Sequence, residues 1–219
     1  MERKNMIIIA VIIVIIAVAA IYFSGILNQA QKTNFDTDFM SGAFSGNVVE
    51  SASNNTNKSY AMSYHDDVNN ISYNITTLDN SSALMEIYKY QGAIGPEHRS
   101  YNGNNWSIYF AKAMPVLNNQ TNQSINQSMG IIICECQKES QGYVIYVTFE
   151  DLSKTNFTLN TYGDSFINFV EPLLKTLSLK ESSNVPVLHE LYGLSKDDFY
   201  NQIEQIRQIN NGNYSNLSG

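Results

Sequence analysis

Basic clusters, catalytic signatures and widely spaced cysteine pairs are all missing from this sequence. Its 13 Lys and Arg are outnumbered by 20 Asp and Glu. Nowhere do the basic residues gather into the patch that neutralising a phosphate backbone requires, so nucleic acid is excluded as a partner. There is no Gly-rich phosphate loop, no nucleophile elbow and no H-E-x-x-H zinc pattern. No cofactor is therefore expected, and an enzyme would have to assemble its site from unmarked residues. The only cysteines, Cys134 and Cys136, are one residue apart. On a strand both thiols point to one face with Cα atoms about 6.7 Å apart, at the far edge of disulfide geometry. They read as reduced, half-buried thiols of a core.

What the chain does have is Met6 to Phe23, eighteen consecutive residues without a charge or an amide, directly behind Arg3 and Lys4. As a helix this run is about 27 Å long, close to the hydrocarbon thickness of a bilayer. The basic pair in front of it puts the N-terminus in the cytoplasm and the rest of the chain outside. Ala17-Val18-Ala19 offers a signal-peptidase site. The apolar stretch continues past it through Ile21, Tyr22 and Phe23, longer than a typical signal core, which favours a retained anchor. An exported protein with no distant cysteine pair implies a core that needs no staple or an anaerobic setting.

Setting aside Glu2, Arg3 and Lys4, the part from Ser24 onward carries 11 basic and 19 acidic side chains, a formal charge of −8. Its length is right for one domain with tails. Twenty-seven asparagines are scattered along the chain. Twelve head an N-x-S/T sequon: Asn54, Asn57, Asn70, Asn74, Asn80, Asn105, Asn119, Asn122, Asn126, Asn156, Asn213 and Asn216. Export makes these accessible to glycosylation, although an Asn-rich composition also generates sequons by chance.

Periodicity gives the elements. Residues 24–39 are polar and read as a stalk, and Ala43 to Val49 as a first strand with a turn or bulge at its glycines. Tyr60, Met62 and Tyr64, then Ile71, Tyr73 and Ile75, alternate with polar residues around His65 to Asn70, a hairpin with one dry face. Leu84, Ile87 and Tyr88 predict a helix over Ser81 to Tyr90, capped by Asn80 or Ser81. Gly92 to Asn105 reads as a loop leading to the strand of Trp106, Ile108 and Phe110. Leu117 to Ser128 is an exposed polar excursion. Met129 to Cys136 and Tyr143 to Phe149 are two more strands.

A helix is expected from Asp164 to Leu179, kinked or restarted at Pro172. The last helix is capped by Ser195, with Leu194 stapled to Phe199 and a dry stripe of Phe199, Ile203 and Ile206. The fold class is α+β: an antiparallel sheet of five or six strands flanked by helices, preceded by one N-terminal transmembrane helix. The expected divisions are 1–5 cytoplasmic tip, 6–23 anchor, 24–39 stalk, 40–209 extracytoplasmic domain and 210–219 disordered tail.

Three segments carry a resemblance: the Ile-rich anchor behind Met1-Glu2-Arg3-Lys4, the lead-in Asn34 to Phe44, and the strand Tyr101 to Tyr109. With them the chain resembles single-pass surface proteins of methanogenic archaea, and its order of strands and helices is similar to Mog1 and PsbP-like domains. The resemblance implies helices flanking an antiparallel sheet and carries over no functional residue.

Candidate chemistry is thin. His65-Asp66-Asp67 with Asn69 and Asn70 offers oxygen ligands for calcium, but without the spacing of a calcium loop; the same residues favour hairpin turns. Cys134 and Cys136 with His65, His98 or His189 are the right types for a soft metal, yet C-x-C lacks the C-x-x-C geometry. Trp106 with Tyr101, Asn102 and Asn104 is the candidate ligand face, an aromatic platform for sugars or a partner's pocket; the alternative is that alternating aromatics build a half-buried sheet. The expected role is non-catalytic, in binding or in envelope architecture. The expected partners are the lipid bilayer through residues 6–23 and an envelope protein or glycan. A small-ligand or glycan-binding module and an unmarked hydrolase are the alternatives.

Overall fold

The computed structural model describes residues 32–53, 61–112, 129–155, 157 and 163–215. Among them no helix is long and apolar enough to cross a membrane; the expected anchor, residues 6–23, lies outside the described residues, as does the polar excursion of residues 117–128.

The domain is α+β, built on a seven-stranded antiparallel sheet. Its strands are β3 (Val49–Ser53), β4 (Ala61–Asp66), β5 (Ile71–Leu78), β6 (Ile94–Tyr101), β7 (Asn104–Lys112), β8 (Gly130–Lys138) and β9 (Gln141–Phe149), in the order β3-β4-β5-β9-β8-β7-β6. Two meanders thus meet at the β5–β9 pair, where Ile75 lies opposite Ile145. A smaller three-stranded sheet joins β1 (Lys32–Asp36), β2 (Met40–Ser45) and β10 (Ser178–Leu179).

Alternation sends side chains to two dry layers. Tyr73, Ile75, Trp106, Ile108, Cys134, Cys136, Ile145 and Val147 face one layer. It is closed by Phe35, Phe39, Met40 and Phe44 of the small sheet and by Phe166, Val170, Leu173 and Leu174. On the other face Tyr109, Ile131, Ile133 and Val144 meet Ala83 and Met85 of α1 (Ser81–Tyr90), and Phe199 and Ile203 of α5 (Lys196–Ser215). Each large apolar side chain buried this way contributes roughly 1.5–3 kcal/mol. Among the described residues there are also three short helical turns, α2 (Leu152–Thr155), α3 (Glu171–Leu174) and α4 (Leu188–Leu191).

The β4–β5 hairpin and α1 fall where the sequence puts them, and Asn80 is the cap, its side chain accepting the Ala83 N–H at 3.0 Å. Five expectations need correction. The sheet expected to have five or six strands has seven, with a three-stranded sheet beside it, because the short strand β3 and the edge strand β6 carry no dry stripe to announce them. The segment read as a stalk is part of the fold from Lys32 onward: Phe35 is 7% exposed and Phe39 fully buried, though a short strand with one inward residue leaves no periodic trace. Gly92 to Asn105 is not a loop but holds the edge strand β6, whose half-exposed pattern lacks a dry stripe. The helix expected to reach Leu179 stops at Leu174, after a π-helical turn over Phe166–Val170, and Pro172 opens α3 in its first turn. The tail expected to be disordered from Asn210 is helical through Ser215, because Asn210 is itself buried and donates to Glu86 on α1.

Candidate functional site

Tyr101, Asn102, Asn104 and Trp106 are brought together, but as internal fastening. Asn102 and Gly103 both have positive φ, 48° and 75°, and close a two-residue hairpin between β6 and β7. The Asn-Gly pair is the strongest short hairpin signal a sequence carries, and it marks β6 even though β6 shows no apolar pattern. From this turn Asn102 Nδ2 donates to the Leu177 carbonyl at 2.5 Å and the Tyr101 hydroxyl to Glu171 Oε1 at 3.2 Å. Asn104 Nδ2 donates to the Asn102 carbonyl at 3.3 Å. Trp106 is fully buried, and its Nε1 has no hydrogen-bond partner among the described residues. The indole offers no face to a ligand. Burial, the charge of Glu171 and the hydrogen bond to it push the Tyr101 hydroxyl up to about 12.

The acidic hairpin turn saturates itself. Asp66 Oδ1 accepts the Val68 and Asn69 N–H groups at 3.0 and 3.1 Å, and Oδ2 accepts Asn69 Nδ2 at 2.7 Å. A carboxylate so occupied anchors its own turn. Beside it, Ser72 Oγ donates to Glu150 Oε1 at 2.8 Å and lies 3.0 Å from His65 Nδ1, while His65 Nε2 is 3.5 Å from Asp67. Ser, His and Asp are thus adjacent, but the hydroxyl proton points at Glu150. The imidazole nitrogen facing Ser72 is therefore the donor, the reverse of what a general base needs.

Cys134 and Cys136 are free and buried on one face of β8. Burial pushes both thiols up; for Cys136 Lys138 opposes the rise and Glu135 adds to it. His98 lies 3.4 Å from the Ser107 hydroxyl and His189 bonds the Leu194 carbonyl at 3.0 Å. Among the described residues no three His, Cys, Asp or Glu are grouped to hold a metal ion.

One hollow of about 530 Å3 opens beside the β8–β9 turn, lined by Lys138, Glu139, Gln141, Tyr143, Glu181 and Ser182 among others. Its wall is stitched by Gln141. That amide donates to Thr77 Oγ1 at 2.9 Å and to the Lys180 carbonyl at 3.3 Å, and it accepts the Ser182 N–H at 3.0 Å. The Tyr143 hydroxyl donates to the Lys180 carbonyl at 2.9 Å, and burial, then Cys136 and Glu181, push its pKa up. With one ammonium, two carboxylates and hydroxyls, the hollow has groups to hydrogen-bond a small polar solute and no nucleophile paired with a base. Sequence reasoning missed it because its lining comes from a turn and the 179–185 connection, which share no spacing.

No family model and no curated protein matches this chain. Among solved structures it is similar to the Ran-binding protein Mog1p of Saccharomyces cerevisiae, at 8% identity and a TM-score of 0.47, covering 69% of this chain and 96% of that one. It is also similar to a protein of Bacteroides thetaiotaomicron, at 7% identity and a TM-score of 0.44 over 70% of this chain. The chain spans about half the length of that Bacteroides protein, 49%.

Proposed function

We propose that this chain is a membrane-anchored domain held outside the cell, acting through binding or envelope architecture rather than catalysis. The observation that carries the reading is the uninterrupted apolar run Met6 to Phe23 ahead of a folded domain whose first strand begins at Lys32. Eight residues, Ser24 to Gln31, separate the two and reach at most about 28 Å when extended. The non-catalytic part is supported by the groups with chemical potential being spent on the fold itself: Asp66 on its turn, Ser72 on Glu150, Tyr101 and Asn102 on the segment after Phe166.

The hollow at Lys138 and Glu181 favours a second reading, in which the displayed domain holds a small polar ligand there. An aromatic sugar platform at Trp106 is not part of it, since the indole is buried.

Membrane attachment is tested by washing membranes of cells expressing the full chain at alkaline pH. The wild-type chain stays in the pellet, and the Ile13→Arg, Ile16→Arg double variant moves to the supernatant, because each arginine at a helix centre costs about 2.5–3.5 kcal/mol of insertion. Wild-type chain released by the wash contradicts the anchor.

A further inference from the structure

Four sequons have side chains within the described residues, and the fold treats them differently. Asn74 and Asn105 are both exposed, and each stands directly opposite a serine on the neighbouring strand: Ser63 faces Asn74, and Ser100 faces Asn105. In both pairs the serine hydroxyl donates to the amide oxygen, Oδ1, at 2.6 Å. With Oδ1 held against the sheet, Nδ2 is turned the other way. Among the described residues neither Nδ2 donates a hydrogen bond.

Asn80 is the opposite case. Its Oδ1 caps α1 through the Ala83 N–H at 3.0 Å, and its Nδ2 donates to the Tyr200 hydroxyl on α5 at 3.1 Å. Both ends of that amide fasten one helix to the other. Asn70 is half-buried in a left-handed turn, with φ 53°, and the hydroxyl of its sequon, Ser72, is the one committed to Glu150.

The two free amides also share a face. Asn74 lies between Tyr73 and Ile75, and Asn105 precedes Trp106; those three neighbours point into the layer under the small sheet. Asn74 and Asn105 therefore point to the side where α1 and α5 pack. On that side the helices cover residues of β7, β8 and β9, with Leu78 at the end of β5. Neither Asn74 nor Asn105 belongs to the cluster the helices cover, and both stay exposed.

We infer that Asn74 and Asn105 are attachment points for N-linked glycans and that Asn80 is not. The inference rests on the exported reading above, since the donor, an oligosaccharide carried on a lipid phosphate, is met outside the cell. In the transfer, Nδ2 loses one proton, taken up by water, and forms a bond to the anomeric carbon of the first sugar. The bond from that carbon to the phosphate oxygen breaks, and the lipid phosphate leaves with the electron pair. Whether transfer precedes or follows folding, the sugar must fit the finished domain. At Asn74 and Asn105 it replaces an amide hydrogen that faces water. At Asn80 it takes one of the two hydrogens of the amide that holds Tyr200 and forces a sugar between α1 and α5.

The test uses the full chain in a host with an N-glycosylation machinery. Glycopeptides covering the three sites are measured by mass spectrometry, and lysines on intact cells are labelled with a membrane-impermeant reagent. Sugar on Asn74 and Asn105 with unmodified Asn80 is expected, and Asn74→Gln or Asn105→Gln each removes one glycan's mass and leaves thermal unfolding within about 1 °C. A labelled, unglycosylated domain at both asparagines overturns the inference and leaves the display reading standing. Sugar on Asn80 also overturns it. A domain that takes no label and no sugar brings down the inference together with the display reading beneath it.

Discussion

Trp106 is the residue on which the sequence and the fold disagree most instructively. A lone tryptophan beside Tyr101, Asn102 and Asn104 has the composition of a sugar platform, and the same alternation equally describes an inward strand position. Composition alone cannot choose between them. The neighbours decide it: Ile108 and Phe110 follow at period two, and all three pack beneath the small sheet. As the only tryptophan, Trp106 reports on this directly. Native emission is expected at the blue, apolar end and resistant to iodide quenching, moving red on unfolding. Trp106→Ala is expected to cost about 3–5 kcal/mol in denaturant unfolding, the usual toll for deleting a buried aromatic. Quenching by iodide as efficient as that of a free indole contradicts the buried placement.

Elements were legible where one face is dry and the other wet over several residues, as in the β4–β5 hairpin, α1 and the start of α5. They were illegible where that contrast fails. The edge strand β6 alternates between half-buried and exposed, and β1 turns only Phe35 fully inward. The run of α5 beyond residue 209 was missed because its next inward position is a polar residue. Asn210 continues the stripe of Phe199, Ile203 and Ile206, donating to the Glu86 carbonyl oxygen at 3.1 Å and to its carboxylate at 2.9 Å.

The two links between α1 and α5 carry predictions. Asn80→Ala removes a cap and the bond to Tyr200, and is expected to lower stability by about 1–2 kcal/mol, read as a lower denaturant midpoint. Glu86 gives a pH signature. Burial alone would raise its pKa, but hydrogen bonds from Lys89 and Asn210 and the charges of Lys89 and Arg207 bring it below its ordinary 4.5. The folded state therefore holds the carboxylate more readily than the unfolded chain does. That stabilisation is complete above pH 4.5 and is lost as pH falls through the lower, folded value. Glu86→Gln is expected to flatten the stability-versus-pH curve below pH 4.5 relative to wild type. An unchanged acid slope in Glu86→Gln contradicts this role.

At the scale of the whole molecule, a candidate site was hardly legible because nothing among the described residues concentrates chemistry. Residues that looked reactive by type hold turns and strands together, and the hollow at Lys138 and Glu181 is assembled from segments forty residues apart in sequence. The account then rests on address: an acidic, folded domain that follows an apolar run in sequence. Adding protease to sealed cells tests it most directly. The account predicts that the mass beyond Ser24 is digested from outside while the N-terminal segment stays with the membrane. A domain that survives until the cells are lysed contradicts it.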